Sequence, residues 1–238
     1  MKSKFAGFPP EALSFLGKLK RNNRREWFQP RKAEYEKLIK MPMLELIGCL
    51  NEEFARFAPN YVTTPQKATY RIYRDTRFSS DKSPYKTHIS AIFPRVTALK
   101  REGAVFYFHF TPKELLVFGG VYMPEREELL AYRNLLHEHY ADFQEVLRNR
   151  KLKSLMGELK GEKLSRMPKG FPVDHPAEEL LRGKQWYLEN TVDAAIVASP
   201  KLLPQLVQHF EAMLPMIEFL NQALVRKSKP QKMTMFAF

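Results

Sequence analysis

The sequence predicts an α+β fold, with an antiparallel sheet of about five strands flanked by N-terminal and C-terminal helices. Three observations lead to this prediction. Apolar residues recur at helical spacing in the first 58 residues and again after residue 199, short segments alternate in polarity between them, and several connections are short enough for hairpins. The chain has no internal repeat. We therefore expect one domain over residues 1–225, followed by a basic, mobile tail over residues 226–238.

The N-terminal part predicts two helical regions. The first contains apolar residues at helical spacing from Ala12 to Leu19. Asn23 and Glu26 then have the spacing of a capping box, which predicts that Asn23 begins the next helix. The second region extends from residue 35 to about residue 58, and Pro42 is expected to kink or divide it.

The central part predicts strands, because β-branched and aromatic residues alternate with polar ones. In residues 104–111 this alternation places Phe106, Phe108 and Phe110 on one face, with His109 on the other. The adjacent Gly119 and Gly120 indicate a bulge or a backbone closely approached by a ligand or by packed protein. The five predicted strands are 69–73, 87–94, 104–111, 114–122 and 184–191.

The remaining segments predict helices with recognisable starts. Pro124 and the glutamates after it favour a helix that runs to about residue 148. Ser199 is expected to cap the last long helix. Between them, His175 lies on a loop between Asp174 and Pro176, where it either contributes to a site or caps a short helix.

Charge and composition restrict the possible partners. The net charge is +13 and the isoelectric point is about 9.7, which makes nucleic acid a candidate partner, although a generally basic surface is an equally good interpretation. The apolar runs are too short to span a bilayer, and the N-terminus lacks the pattern of a secretory signal. We therefore expect a cytoplasmic protein with no membrane partner.

One stretch, residues 71–87, combines charge and aromatic residues in a way that a folding core does not explain. We call it the motif; it is expected to form a loop between two strands. Its two carboxylates leave three positive charges uncompensated, so an anionic ligand is a natural completion, and phosphate suits the planar arginine fork. The predicted ligand-binding residues are Arg71, Arg74, Arg77, Lys82, Tyr85 and Lys86, with Tyr85 or Phe78 available to stack a base.

Two other interpretations of the motif stay open. In the first, Asp75 pairs with Arg71 or Arg77 and Asp81 caps a turn, so that the motif is a structural salt-bridge network. In the second, the chain is a phosphoryl-transfer or hydrolytic enzyme in which Asp75 or Asp81 acts as a base or metal ligand.

Catalytic residues are only weakly indicated, with Asp75, Asp81 and His175 as the candidates. The sequence contains no P-loop, glycine-rich dinucleotide motif or nucleophile elbow, and it identifies no cofactor. The chain's one cysteine, Cys49, excludes an intrachain disulfide and a cysteine-rich zinc site, so no metal site is assigned.

The motif also carries a resemblance. Its run from Arg74 to Thr87, together with Asn22, Asn23, Trp27 and Phe28, resembles the signature of a widespread bacterial and fungal family of unknown function. The Asp-His-Pro sequence at residues 174–176 fits the same pattern. The resemblance extends to about residue 225 and implies one conserved domain; it implies no activity and no catalytic residue.

Overall fold

A computed structural model describes residues 4–96 and 102–225 and shows an α+β fold with one antiparallel sheet of four strands. The strands are β1 (Ile89–Phe93), β2 (Val105–Phe110), β3 (Glu114–Val121) and β4 (Trp186–Asp193). The helices before the sheet are α1 (Glu11–Arg21), α2 (Arg25–Phe28), α3 (Lys32–Tyr35), α4 (Met41–Phe57) and α5 (Pro65–Ala68). The later helices are α6 (Arg126–Glu138), α7 (Tyr140–Leu147), α8 (Arg150–Met156), α9 (Glu178–Leu181) and α10 (Leu202–Val225).

The N-terminal helices follow from the spacing of their apolar residues. Helix α1 buries Ala12, Phe15, Leu16 and Leu19 on one side. Before α4, the chain makes a wider π-helical turn over Glu36–Lys40. Pro42 lies directly after this turn and has no N–H to give to a preceding carbonyl, so a local change of helical pitch is the expected response.

The sheet is a meander in which each strand pairs with the next in sequence, in the order β1-β2-β3-β4. Ala91 is opposite Phe108, Phe108 is opposite Val117, and Val117 is opposite Asn190. Four of the predicted strands are present, each within about two residues of its predicted ends.

The prediction of a fifth strand over residues 69–73 is wrong. This segment makes two isolated bridges, Thr69 to Ala91 and Tyr73 to Tyr85, instead of a continuous ladder. Its backbone divides its hydrogen bonds between two partners: Tyr70 donates to the carbonyl of Ser90, whereas the carbonyl of Ile72 accepts from Lys86. The residue types in this segment alternate as they do in a strand. The change of hydrogen-bond partner along the segment nevertheless prevents a regular strand.

The inner face of the sheet packs on helices α4 and α10 and forms the main core. Phe106, Phe108 and Phe110 are all completely buried there, as the alternation in β2 predicted. The Phe106 ring lies 5.4 Å from Phe54 of α4 and 5.0 Å from Phe210 of α10, measured between centroids. These contacts fix the inner face of the sheet on both the N-terminal and the C-terminal helices.

Packing explains the glycine pair in β3. A Cβ atom at Gly119 would lie 2.5 Å from Sδ of Met213, and Gly120 has a φ of +135° and is directly against the backbone of Trp186. Close packing, rather than a ligand, occupies the space beside both glycines.

The later helices begin near their predicted residues. The prediction of one helix running to about residue 148 is wrong, because α6 ends at Glu138, His139 leaves the helical conformation, and α7 begins at Tyr140. Glu125 and Glu128 form a capping box at the start of α6, and the carbonyl of Ser199 accepts a hydrogen bond from the amide of Leu202 at the start of α10. The basic tail predicted over residues 226–238 lies outside the described residues. Among the helices described, none is long and apolar enough to cross a membrane.

Candidate functional site

The motif lies next to the β1 edge of the sheet, where the amide of Tyr70 donates to the carbonyl of Ser90. Its two sides are joined by backbone hydrogen bonds from Lys86 to Ile72 (2.7 Å) and from Arg74 to Pro84 (2.9 Å). Residues 74–84 therefore form a closed loop, which we call the motif loop. Its end, around residues 76–80, points away from these hydrogen bonds at its base.

Asn23 fixes the returning side of this loop. Its side-chain Nδ2 donates to the carbonyl of Tyr85 (2.8 Å) and its Oδ1 accepts from the amide of Tyr85 (3.0 Å). The prediction that Asn23 begins a capping box is wrong, because the residue before α2 is Arg24 and no side chain caps that helix. Asn23 satisfies both backbone polar groups of one distant residue, Tyr85, instead, and this contact joins the two parts of the sequence signature.

Tyr85 belongs to the core rather than to an exposed binding surface. Only 1% of it is exposed, and its ring centroid lies 4.2 Å from that of Phe28 and 5.5 Å from that of Tyr73. The expectation that Tyr85 could stack a base is therefore corrected. Because Phe28 and Asn23 both contact Tyr85, the N-terminal signature acts as a support for the motif loop.

Both carboxylates of the loop are held by arginines. Asp75 forms a two-point pair with Arg77, with Nε to Oδ1 at 3.0 Å and Nη2 to Oδ2 at 2.7 Å, and this pairing lowers the pKa of Asp75 to about 2. Asp81 accepts hydrogen bonds from Ser83 and from Arg74, which hold the pKa of its carboxyl well below its usual range. Both carboxylates are thus ionised at neutral pH and oriented by the loop itself.

The predicted cations occupy different positions. Lys82 donates its ammonium group to the carbonyl of Thr76 (3.0 Å), and the Lys86 ammonium lies 4.7 Å from the centre of the Tyr70 ring at the base of the loop. Arg71 is exposed, as is Arg77, whose side chain is 77% accessible in spite of its pair with Asp75. Arg74 is the most shielded of the three arginines of the motif, with 26% of its side chain accessible.

Phe78 is the most unusual residue of the loop. It is 95% exposed, and the Arg77 guanidinium lies 5.6 Å from the centre of its ring. A large apolar side chain this exposed, at the end of a loop held by two ion pairs, gains little from folding.

His175 is separate from the motif loop. Its Nδ1 accepts a hydrogen bond from the amide of Ala177 (3.0 Å), and its carbonyl accepts from Glu178, so the residue orders the turn directly before α9, whose N-cap is Ala177. Its ring packs against His137 with 4.3 Å between centroids. No group of three potential metal-ligating side chains occurs within residues 4–96 and 102–225.

The outer face of the sheet, opposite the helices, carries a second set of aromatic residues. We use "outer face" for the side chains of β1–β4 that point away from α4 and α10, together with Tyr70 and Tyr122 at its borders. A small apolar cluster of Ile92, Val105 and Phe118 is buried there, separate from the main core, and no helix described contributes to it. The alternation in β2 assigned Tyr107 and His109 to this face, but nothing in the sequence indicated how the rings from other segments would join them.

Three surface clefts are formed by residues of the helices, of β4 and of the segments near them, and none of the three is lined by a residue of the motif. The motif is thus separate from these three clefts, and Arg71, Arg77 and Lys82 are exposed.

Comparison with known proteins gives one match. No curated protein and no solved structure matches the chain at a significant level. The model of a family described as conserved hypothetical protein (DUF2461) matches residues 11–219, a range that includes both parts of the signature and the whole sheet. The chain therefore belongs to this family of conserved hypothetical proteins.

Proposed function

We propose that the chain binds nucleic acid, with the motif loop as the element that contacts the phosphate backbone. The observation that carries this proposal is the end of the loop, where Phe78 is almost fully exposed beside the accessible guanidinium of Arg77. Cations and exposed aromatic rings are the two side-chain types that hold single strands and phosphate backbones. The net charge of +13 is of the sign that such a partner requires.

The shape of the loop favours an extended ligand. A small phosphorylated metabolite is usually enclosed in a concave site, whereas Arg71, Arg77 and Lys82 are exposed on the motif, whose residues line none of the three clefts described above. A polyanion can follow such a surface and contact several cations in turn. Arg71, Arg77 and Lys82 are the residues we assign to phosphate contacts, and Phe78 is assigned to contact a base or sugar.

The carboxylates support binding rather than catalysis. Asp75 and Asp81 are held by Arg77 and Arg74, and a carboxylate with a pKa of about 2 accepts a proton poorly at neutral pH. Their role in this proposal is to order the loop, so that the arginines are positioned before a ligand arrives. This arrangement lowers the entropic cost of binding.

Fluorescence anisotropy with a labelled single strand and a labelled duplex, each measured over a range of salt concentrations, tests the proposal. We expect affinity to fall steeply with salt, and Arg77→Ala and Lys82→Ala each to reduce the slope of log K against log salt by about one. Phe78→Ala should weaken binding without changing the slope. Lys201→Ala, an exposed lysine just before α10, is the matched control and should bind like the wild type.

Thermal unfolding of the same variants separates this proposal from a purely structural role. Arg77 and Phe78 are exposed, so replacing either should leave the melting temperature nearly unchanged. Binding that is independent of salt, or a loss of binding that is fully accounted for by unfolding, would contradict the proposal.

A further inference from the structure

Aromatic rings form a continuous row across the outer face of the sheet. Successive ring centroids are separated by 6.4 Å from Tyr70 to Tyr107, 6.2 Å from Tyr107 to Phe118, and 4.9 Å from Phe118 to Tyr187. Tyr122 continues the row, 6.0 Å from Tyr187, and is 58% exposed. The row therefore crosses from the segment beside β1 to β4 and ends at an accessible ring.

Imidazole and hydroxyl groups lie among these rings. The His109 ring is 5.6 Å from Tyr107 and 5.1 Å from His88, and all three side chains are half-buried. A surface of this composition suits a planar ligand that also forms hydrogen bonds, such as a nucleobase.

The motif loop and the outer face are continuous. Tyr70 begins the row of rings, and its amide donates to Ser90 of β1, while the ammonium of Lys86 lies over its ring. Arg71 follows Tyr70 directly and is exposed. Cations that could hold phosphates thus border the row at the β1 edge of the sheet, next to the motif loop.

From this continuity we infer that the ligand is a single strand, whose bases stack on the outer face while its backbone contacts the motif loop. This inference rests on the proposed function and specifies its ligand. In a duplex the bases are already stacked on one another, so only a single strand can offer their planes to protein rings. The sequence preference from such stacking is weak, because every base has a flat face.

The test uses three labelled probes in anisotropy measurements on the full chain: a 12-nucleotide single strand of mixed sequence, the same length of strand with abasic internal positions, and the corresponding 12-base-pair duplex. The abasic strand keeps the phosphates and removes the bases. The variants are Tyr187→Leu on the outer face and Arg77→Ala in the motif loop. Tyr140→Leu is the matched control, because Tyr140 is also a half-buried tyrosine but lies on α7.

We expect the wild type to bind the normal strand at least about fivefold more tightly than the abasic strand, since stacking of one base contributes that much or more. Tyr187→Leu should remove most of this advantage and leave the abasic strand and the duplex unaffected. Arg77→Ala should weaken all three probes, and Tyr140→Leu none. If Tyr187→Leu fails to fold, Tyr122→Leu replaces it, because Tyr122 is the most exposed ring of the row.

Two results would overturn the inference while leaving the proposed function intact. One is equal affinity for the normal and abasic strands, with Arg77→Ala weakening both. The other is that Tyr187→Leu and Tyr122→Leu bind the normal strand as tightly as the wild type does, while Arg77→Ala still weakens this binding. If the wild type binds none of the three probes, the proposed function fails, and the inference fails with it.

Discussion

The strongest structural prediction concerns Asn23, whose amide makes both of its hydrogen bonds to the backbone of Tyr85. The change Asn23→Ala removes two hydrogen bonds that each contribute about 1 kcal/mol. It also leaves the part-buried backbone N–H and C=O of Tyr85 without these partners, which adds to the cost. We expect a loss of about 2–4 kcal/mol in the free energy of unfolding.

The matched control is Asn22→Ala. Asn22 donates one exposed hydrogen bond to the carbonyl of Lys18 at the end of α1, so its removal should cost about 1 kcal/mol or less. Urea denaturation followed by circular dichroism measures both variants. Asn23→Asp should fall between them, because it keeps the acceptor for the Tyr85 amide and loses the donor. Equal losses for Asn22→Ala and Asn23→Ala would refute the reasoning that this contact supports the motif loop.

Two further predictions concern the sheet and the helix packed on it. Burial, together with the smaller effect of the charges of His109 and Lys86, lowers the pKa of His88 from 6.5 to about 4. As the pH falls from 6.5 to 4, His88 therefore takes up a proton in the unfolded chain before it does so in the folded chain. The contribution of neutral His88 to the free energy of unfolding is therefore fully present above pH 6.5 and is lost as the pH falls towards 4. In urea titrations, His88→Gln should lose less stability between pH 7 and pH 5 than the wild type does. Gly120→Ala should lower the free energy of unfolding by more than about 1 kcal/mol, because Gly120 has a positive φ and contacts the backbone of Trp186. Gly48→Ala in α4 should raise it by about 0.5–1 kcal/mol, because a Cβ atom there enters open space. Similar melting temperatures for the two variants would contradict this prediction.

The parts of the fold that depend on local spacing were predictable. The alternation in β2 identified the buried face of Phe106, Phe108 and Phe110, and the glutamates after Pro124 indicated the start of α6. Both signals act within a few residues of chain, where the pattern of side chains and the backbone geometry are directly linked.

The parts that depend on distant contacts were not predictable. Asn23 and Tyr85 are 62 residues apart, and a capping box is an equally good reading of the sequence around Asn23. The burial of Tyr85 likewise depends on Phe28, which no spacing rule connects to it. Residues 69–73 alternate like a strand, yet their hydrogen bonds go to two different partners. In each case a local rule was satisfied by more than one structure, and tertiary contacts selected between them.

The location of the cations within the motif also separates their roles. Arg74 is shielded and pairs with Asp81 near the base of the loop, so it serves the fold of the loop first. Arg77 also pairs with a carboxylate, that of Asp75, but remains accessible beside Phe78. A guanidinium has five N–H donors, so it can bind a phosphate while it is still in contact with a carboxylate. Arg77 is thus displayed towards the end of the loop, together with Phe78, the most exposed aromatic side chain of the motif.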